Sequence, residues 1–103
     1  MRIKQGVVLT GLRTEMLVGL MAVQEIFRKY GEEVVITSVM DGTHSATSLH
    51  YAGQAVDLRT RNLSNADVME IVAELKGDLG IHFDVVAEST HLHLEYQPRK
   101  PGA

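Results

Sequence analysis

The chain has 103 residues, which suits one domain with one apolar core and leaves little room for a second. Hydrophobic residues make up 45% of it and charged residues 22%, a balance typical of a folded protein rather than a disordered one. The formal net charge of −3 provides no general attraction to nucleic acid or to anionic lipid. Cysteine is absent, which excludes disulfides and thiolate zinc sites, so histidine and carboxylate groups must form any zinc site.

The first element predicted along the chain is a helix. Apolar residues recur at helical spacing, and Gly31 follows in the position where helices commonly end. We therefore expect a helix from Leu12 or Thr14 to Tyr30. Met16 and Met21 lie within it and are expected to fill the core.

Two strands and a loop are predicted next. The β-branched run Glu33–Val39 predicts a strand, and Gln54–Arg59 predicts a second one. Between them, residues Met40–Leu49 are rich in Asp, Gly, Thr and Ser and predict a loop.

The second half begins with a helix that has clear end signals. Ser64 followed by Asp67 resembles a capping box, and an apolar helical face behind it ends at Gly80. Phe83–Ala87 and Leu92–Tyr96 then predict a strand pair, with a turn near residues 88–90.

This order of elements predicts an α+β fold, with two helices packed on a mostly antiparallel sheet of about four strands. We expect residues 1–103 to form a single domain, with a core over about 12–97 and a polar tail at 98–103. The apolar run Val7–Leu9 is too short for a signal peptide, and no stretch is long enough to span a membrane. The protein is therefore expected to be made in the cytoplasm.

Histidines concentrate in two short segments. Four of the five lie within residues 44–57 and 88–95. Zinc prefers nitrogen and oxygen ligands in tetrahedral geometry, and a catalytic site uses three protein ligands plus water. His50, Asp57 and either His91 or His93 can supply that set.

Strand alternation allows a second interpretation of the later segment. Alternation places His91, His93 and Glu95 on one face and the intervening leucines on the other. An edge strand with an apolar inner face and a solvated outer face has the same pattern. The occurrence of both histidine segments in one chain favours the metal site, placed at the sheet.

The first segment resembles the zinc signature of the M15-type D-alanyl-D-alanine peptidases, Ser-x-His-x-x-Gly-x-Ala-x-Asp. Residues Ser48–Asp57 match every fixed position of that signature. The stretch Asp41–Asp57 is also similar to the hedgehog signalling domain, which shares the fold and the zinc site. The resemblance covers about Leu12–Tyr96 and implies that His50 and Asp57 bind zinc.

The resemblance implies two alternatives for the third ligand. In hedgehog and lysostaphin relatives it is the second histidine of a His-x-His pair, here His93. In the D-Ala peptidases a Glu-x-x-His pair supplies the base and the ligand, here Glu88 and His91. The first mapping is preferred, with His91 beside the open coordination position. His44 matches an active-site histidine of the hedgehog domain.

The function implied by the resemblance is a zinc metallopeptidase that hydrolyses peptidoglycan stem peptides or cross-links, as a D-Ala carboxypeptidase or endopeptidase. Glu88 is the expected base, and His91 or His44 would stabilise the oxyanion. A protein without a signal peptide could reach the cell wall through a phage lysis system. The alternative is a catalytically idle, hedgehog-like zinc domain that binds proteins.

One departure from the family concerns substrate binding. Many M15-type peptidases carry a Ser-Gly-Tyr-Arg-Ser-like segment whose arginine holds the substrate, whereas Ser38–Gly42 has no arginine here. Arg13, Arg59 and Arg61 are candidates for binding a substrate carboxylate. The alternative is that they are ordinary exposed arginines.

Overall fold

The computed structural model describes residues 1–9, 11–41 and 54–97. Two helices pack on a five-stranded mixed sheet, so the fold is of the α+β class. The strand order is β1-β2-β3-β5-β4. The elements in chain order are β1 (Arg2–Ile3), α1 (Thr14–Lys29), β2 (Val35–Asp41), β3 (Gln54–Arg59), α2 (Asn65–Leu79), a 3-10 turn (Gly80–His82), β4 (Phe83–Ala87) and β5 (His91–Tyr96).

The expected count of about four strands was wrong because a short strand forms at the amino terminus. Arg2–Ile3 pairs in parallel with β2, and the other neighbouring strands pair antiparallel. The Arg2 N–H donates to the Val34 carbonyl at 2.7 Å, and the Lys4 N–H donates to the Ile36 carbonyl at 2.9 Å. Two residues held by backbone hydrogen bonds carry no side-chain periodicity, so sequence patterning does not reveal such a strand.

Both helices end where the sequence predicts. After α1, Gly31 adopts a φ of 70°, with its N–H donating to the Arg28 carbonyl while the Glu32 N–H donates to Phe27. This is a Schellman ending, which favours glycine because the left-handed region is open to it. At the start of α2, the Asp67 N–H donates to the Ser64 hydroxyl at 3.1 Å, which confirms the predicted cap.

Strand β2 differs from its predicted limits. It begins at Val35 instead of Glu33, and it extends through Met40 and Asp41, which the sequence pattern assigned to the loop. The register shifts between Ile36 and Ser38, so Thr37 is the extra residue of a β-bulge. The remaining loop residues 42–49 and the tail 98–103 lie outside the described residues.

The core lies between the helices and one face of the sheet. Met16 is fully buried as expected, but Met21 is 67% exposed, so its predicted core role was wrong. Met21 lies five residues after Met16, which places it about 140° further round the helix axis after one full turn. It therefore points away from the buried face on which Met16 lies. In the described part of the chain, neither helix has the length and apolarity needed to cross a membrane. The sheet contributes Ile36, Val56, Leu58, Val85, Leu92 and Leu94 to this core, and Val34 joins them from just before β2.

The other face of the sheet is polar. Asp57 of β3 and His91, His93 and Glu95 of β5 alternate with the buried leucines and valines. We call this the polar face. Successive side chains of a strand point to opposite faces of the sheet. When the apolar side chains of β3 and β5 pack against the helices, all four polar side chains therefore lie together on the other face.

Gln54 connects the start of α1 to β3. Its side chain is buried, with Oε1 accepting from the Arg13 N–H at 2.9 Å and Nε2 donating to the Gly11 carbonyl at 3.2 Å. Arg13 precedes the helix and has no side-chain cap of its own. The amide of Gln54 therefore takes part of the role of a capping side chain.

Substitution of two helical glycines tests how closely α1 packs against β4. We expect Gly77→Ala to raise the free energy of unfolding by about 0.5–1 kcal/mol, because alanine favours the helix and its Cβ meets no atom within 4 Å. We expect Gly19→Ala to lower it, because its Cβ would lie 2.9 Å from Phe83 Cε1. Urea unfolding measures both values. A stabilising Gly19→Ala would contradict the close approach of α1 to β4.

Candidate metal centre

The pairing of β3 with β5 builds the candidate site. Asp57 lies directly opposite His93, Arg59 opposite His91, and Ala55 opposite Glu95. Directly opposed residues of an antiparallel pair have side chains within contact distance. The small side chain of Ala55, 1% exposed, leaves room beside the buried Glu95 carboxylate.

Asp57 contacts one of the two candidate histidines closely and the other loosely. Its Oδ1 lies 2.8 Å from His93 Nδ1 and 3.7 Å from His91 Nε2. The Asp57 and His93 side chains are 18% and 24% exposed. The Asp57 backbone carbonyl accepts a hydrogen bond from the Thr37 hydroxyl at 3.3 Å, which ties the bulge of β2 to the site.

Glu95 belongs to the same cluster, although sequence reasoning assigned it no role. Its Oε1 lies 3.0 Å from His93 Nε2, and its Oε2 accepts from the Gln97 side-chain amide. Glu95 is 7% exposed, and a carboxylate this buried needs such partners. The signal available in the sequence was its position two residues after His93 on the same face.

Both ring nitrogens of His93 face carboxylate oxygens. A neutral imidazole has only one N–H, so it can donate to Asp57 or to Glu95 but not to both. The protonated ring satisfies both contacts. Burial disfavours its charge, but hydrogen bonds and charge interactions with Glu95 and Asp57 outweigh this effect and raise the pKa of His93 above 6.5.

Glu88 lies at the turn between β4 and β5. Its backbone N–H donates to the His91 carbonyl at 2.8 Å. The residue is exposed and lines a groove of about 450 Å³ together with Arg61 and Met69. The predicted base therefore lies in the hairpin turn three residues before His91, exposed to solvent in a groove that α2 also lines.

Two of the predicted site residues, His44 and His50, lie outside the described residues. Within residues 1–9, 11–41 and 54–97, no three His, Cys, Asp or Glu side chains form a group that could hold a metal ion. Asp57 and His93 belong to the described part, and they are two of the three ligands that the sequence predicts.

The chemistry of the described donors fits zinc. A carboxylate oxygen and an imidazole nitrogen are both zinc ligands, and they lie next to each other on paired strands. Glu95 accepts at the other ring nitrogen, as carboxylates commonly do for a histidine that binds metal. A metal at Nδ1 would replace the proton there and leave the hydrogen bond to Glu95.

Comparison with known proteins adds no family to these observations. The chain matches no protein-family model, no curated protein and no solved structure. The features of this chain that bear on its function are the Ser48–Asp57 motif and the geometry of the polar face.

The two carboxylates around His93 lead to a prediction for zinc-free protein. We expect NMR titration of the His93 ring to give a pKa above 6.5, lowered by Glu95→Gln and by Asp57→Asn. Glu70→Gln is the matched control, because Glu70 lies on α2 and accepts a hydrogen bond from the Tyr30 hydroxyl instead of from His93. An unchanged pKa in Glu95→Gln would contradict the assigned hydrogen bond.

The raised pKa of His93 also makes the free energy of unfolding depend on pH. The folded pKa lies above the unfolded value of about 6.5, so the stabilisation is fully present below pH 6.5. It is lost as pH rises through the folded pKa. Zinc affinity should rise over that interval, because the metal must displace the ring proton.

Proposed function

We propose that this protein is a zinc-dependent peptidase of the M15 type, which hydrolyses a peptide bond in peptidoglycan stem peptides or cross-links. Its reaction would be that of a D-Ala carboxypeptidase or an endopeptidase. The observation that carries the proposal is the contact of Asp57 with His93 on the polar face, with His91 beside them. The Ser48–Asp57 motif supports the same class independently.

The zinc ligands in this proposal are His50, Asp57 and His93. The 2.8 Å approach of His93 to Asp57, against 3.7 Å for His91, favours His93 as the third ligand. His91, whose side chain is 32% exposed, would then remain free to assist catalysis beside the bound zinc. His50 is assigned from the motif alone.

The chemistry that a bound zinc ion supplies is Lewis acidity, which polarises a substrate carbonyl and lowers the pKa of a water molecule. Glu95 holds the His93 ring in one orientation through Nε2. Glu88 accepts a proton from the attacking water and passes it to the leaving amine. His91, with His44 as the alternative, donates a hydrogen bond to the developing oxyanion.

Access to solvent supports a catalytic role over a structural one. Structural zinc sites are closed by four protein ligands, whereas catalytic sites keep a position open. His91 lines a groove of about 330 Å³ on the polar face, which provides space for a substrate beside Asp57.

The identity of the third ligand can be tested by metal analysis. We expect His93→Ala to lose stoichiometric zinc, because its nitrogen adjoins Asp57, and His91→Ala to keep it. Elemental analysis after dialysis measures the zinc content, and far-UV circular dichroism checks folding. Zinc loss in His91→Ala with retention in His93→Ala would assign the ligand to His91.

Activity is tested on defined muropeptides by mass spectrometry. Zinc-loaded protein should release a terminal D-alanine or cut a stem or cross-link bond, and a chelator should stop the reaction. Glu88→Gln should keep its zinc and lose about 10²- to 10⁴-fold in rate, because it removes the base. Glu70→Gln on α2 is the control carboxylate.

The outcomes of this assay separate the candidate functions. Full turnover by Glu88→Gln would remove Glu88 from the role of base. Intact muropeptides in the presence of one bound zinc per chain would contradict the peptidase. That result would favour a hedgehog-like zinc domain that binds proteins.

A further inference from the structure

A cationic groove adjoins the candidate metal centre. It has a volume of about 330 Å³ and is lined by Lys4, Thr37, Arg59, Arg61, Thr90 and His91. Three of these side chains are cationic and none is a carboxylate, although the whole chain carries a net charge of −3. We call it the cationic groove.

The fold assembles this groove from distant parts of the sequence. The parallel pairing of β1 with β2 brings in Lys4, and the β-bulge brings in Thr37. The antiparallel register of β3 and β5 sets Arg59 opposite His91. Arg61 follows two residues later, in the turn before α2.

The described residues provide no carboxylate partner for the three cations of the groove. Within the part of the chain that the structure describes, no ion pair within 4.0 Å involves Lys4, Arg59 or Arg61. Three other cations of the described residues are paired, Arg2 with Glu33, Arg28 with Glu25 and Lys29 with Glu74, whereas Arg13 and Lys76 are in no such pair. Clustered cations without partners repel one another, and a bound anion relieves that repulsion.

Among the described residues, several carboxylates lie beside the groove, and one of them, Glu88, lines the groove of about 450 Å³ together with Arg61. Asp57 Oδ1 lies 3.7 Å from His91 Nε2, on the side of the candidate metal centre. Glu32 and Glu33 share a separate cavity of about 70 Å³ with the two arginines, and Glu33 pairs with Arg2 at 3.3 Å. These carboxylates moderate the positive potential without occupying the groove itself.

We propose that the cationic groove binds an anionic oxygen group of a ligand, either a carboxylate or a phosphate. Guanidinium groups match both anions with paired N–H donors, and Lys4 adds a point charge. The Thr90 hydroxyl, 3.1 Å from His91 Nδ1, is a further polar group of the groove, whereas the Thr37 hydroxyl already donates to the Asp57 carbonyl. The binding of an anion does not depend on the proposed peptidase activity. The position of that anion beside a scissile bond rests on the proposed function, because His91 borders both sites.

The test uses zinc-free protein and inorganic phosphate as the first probe, at constant ionic strength. We expect saturable NMR shifts at Thr37, Arg59, Thr90 and the His91 ring. The double variant Arg59→Gln with Arg61→Gln should weaken phosphate binding at least tenfold. Arg28→Gln is the matched control, since its side chain is 68% exposed on α1 and pairs with Glu25.

A second arm identifies the source of the anionic group. A short peptide with a free carboxyl terminus is titrated beside the same peptide with an amidated terminus. Shifts with the free acid alone identify a carboxylate ligand, and shifts with phosphate but neither peptide identify a phosphate ligand. Both results support the groove as an anion site.

Two results would overturn the proposal. One is shifts that rise linearly with every probe, and the other is equal affinity in the double variant and the Arg28→Gln control. Arg59→Lys keeps the positive charge at position 59 but removes the paired N–H donors of the guanidinium group. Weaker anion binding by a folded Arg59→Lys protein would therefore show that those donors contribute to binding. Absence of peptidase activity would leave these zinc-free measurements unaffected, so the two proposals fail separately.

Discussion

The pairing of β3 with β5 is the constraint on which the candidate site depends. Val56, Leu58, Leu92 and Leu94 are fully buried against the helices. Burying one such side chain stabilises the fold by about 1.5–3 kcal/mol. A slip of one residue would expose these groups and turn Asp57 and His93 toward the core, where their charges would be costly. Packing on the apolar face therefore sets the position of the polar groups on the other face.

The polar face contains two regions of opposite character that meet at His91. On one side, His93 lies between the carboxylates of Asp57 and Glu95, an arrangement that attracts a proton or a metal cation. On the other side, Lys4, Arg59 and Arg61 line a groove whose described lining residues include no acid. A ligand that carries an anion close to a polarisable carbonyl would complement both regions. Neighbouring sites of this kind orient a ligand before any chemistry begins.

The sequence predicted part of this site from local patterns. Alternation in β5 placed His91, His93 and Glu95 together, and the structure confirms that they share a face. The contact of Asp57 with His93 joins residues 36 positions apart, which the preferred mapping of the resemblance made ligands of one zinc ion. Glu95 received no role because one strand's alternation does not show which neighbours a side chain meets. The placement of His44 and His50 stays a prediction.

The sequence alone determined the features that depend on near neighbours. These are the ends of the helices at Gly31 and Gly80, the cap at Ser64, and the inward and outward faces of β5. Only the tertiary structure decided the parallel strand at Arg2–Ile3, the bulge at Thr37 and the cationic groove. Those features come from contacts between residues far apart in sequence. Their energies depend on which strands become neighbours in the sheet, and no local pattern records that choice.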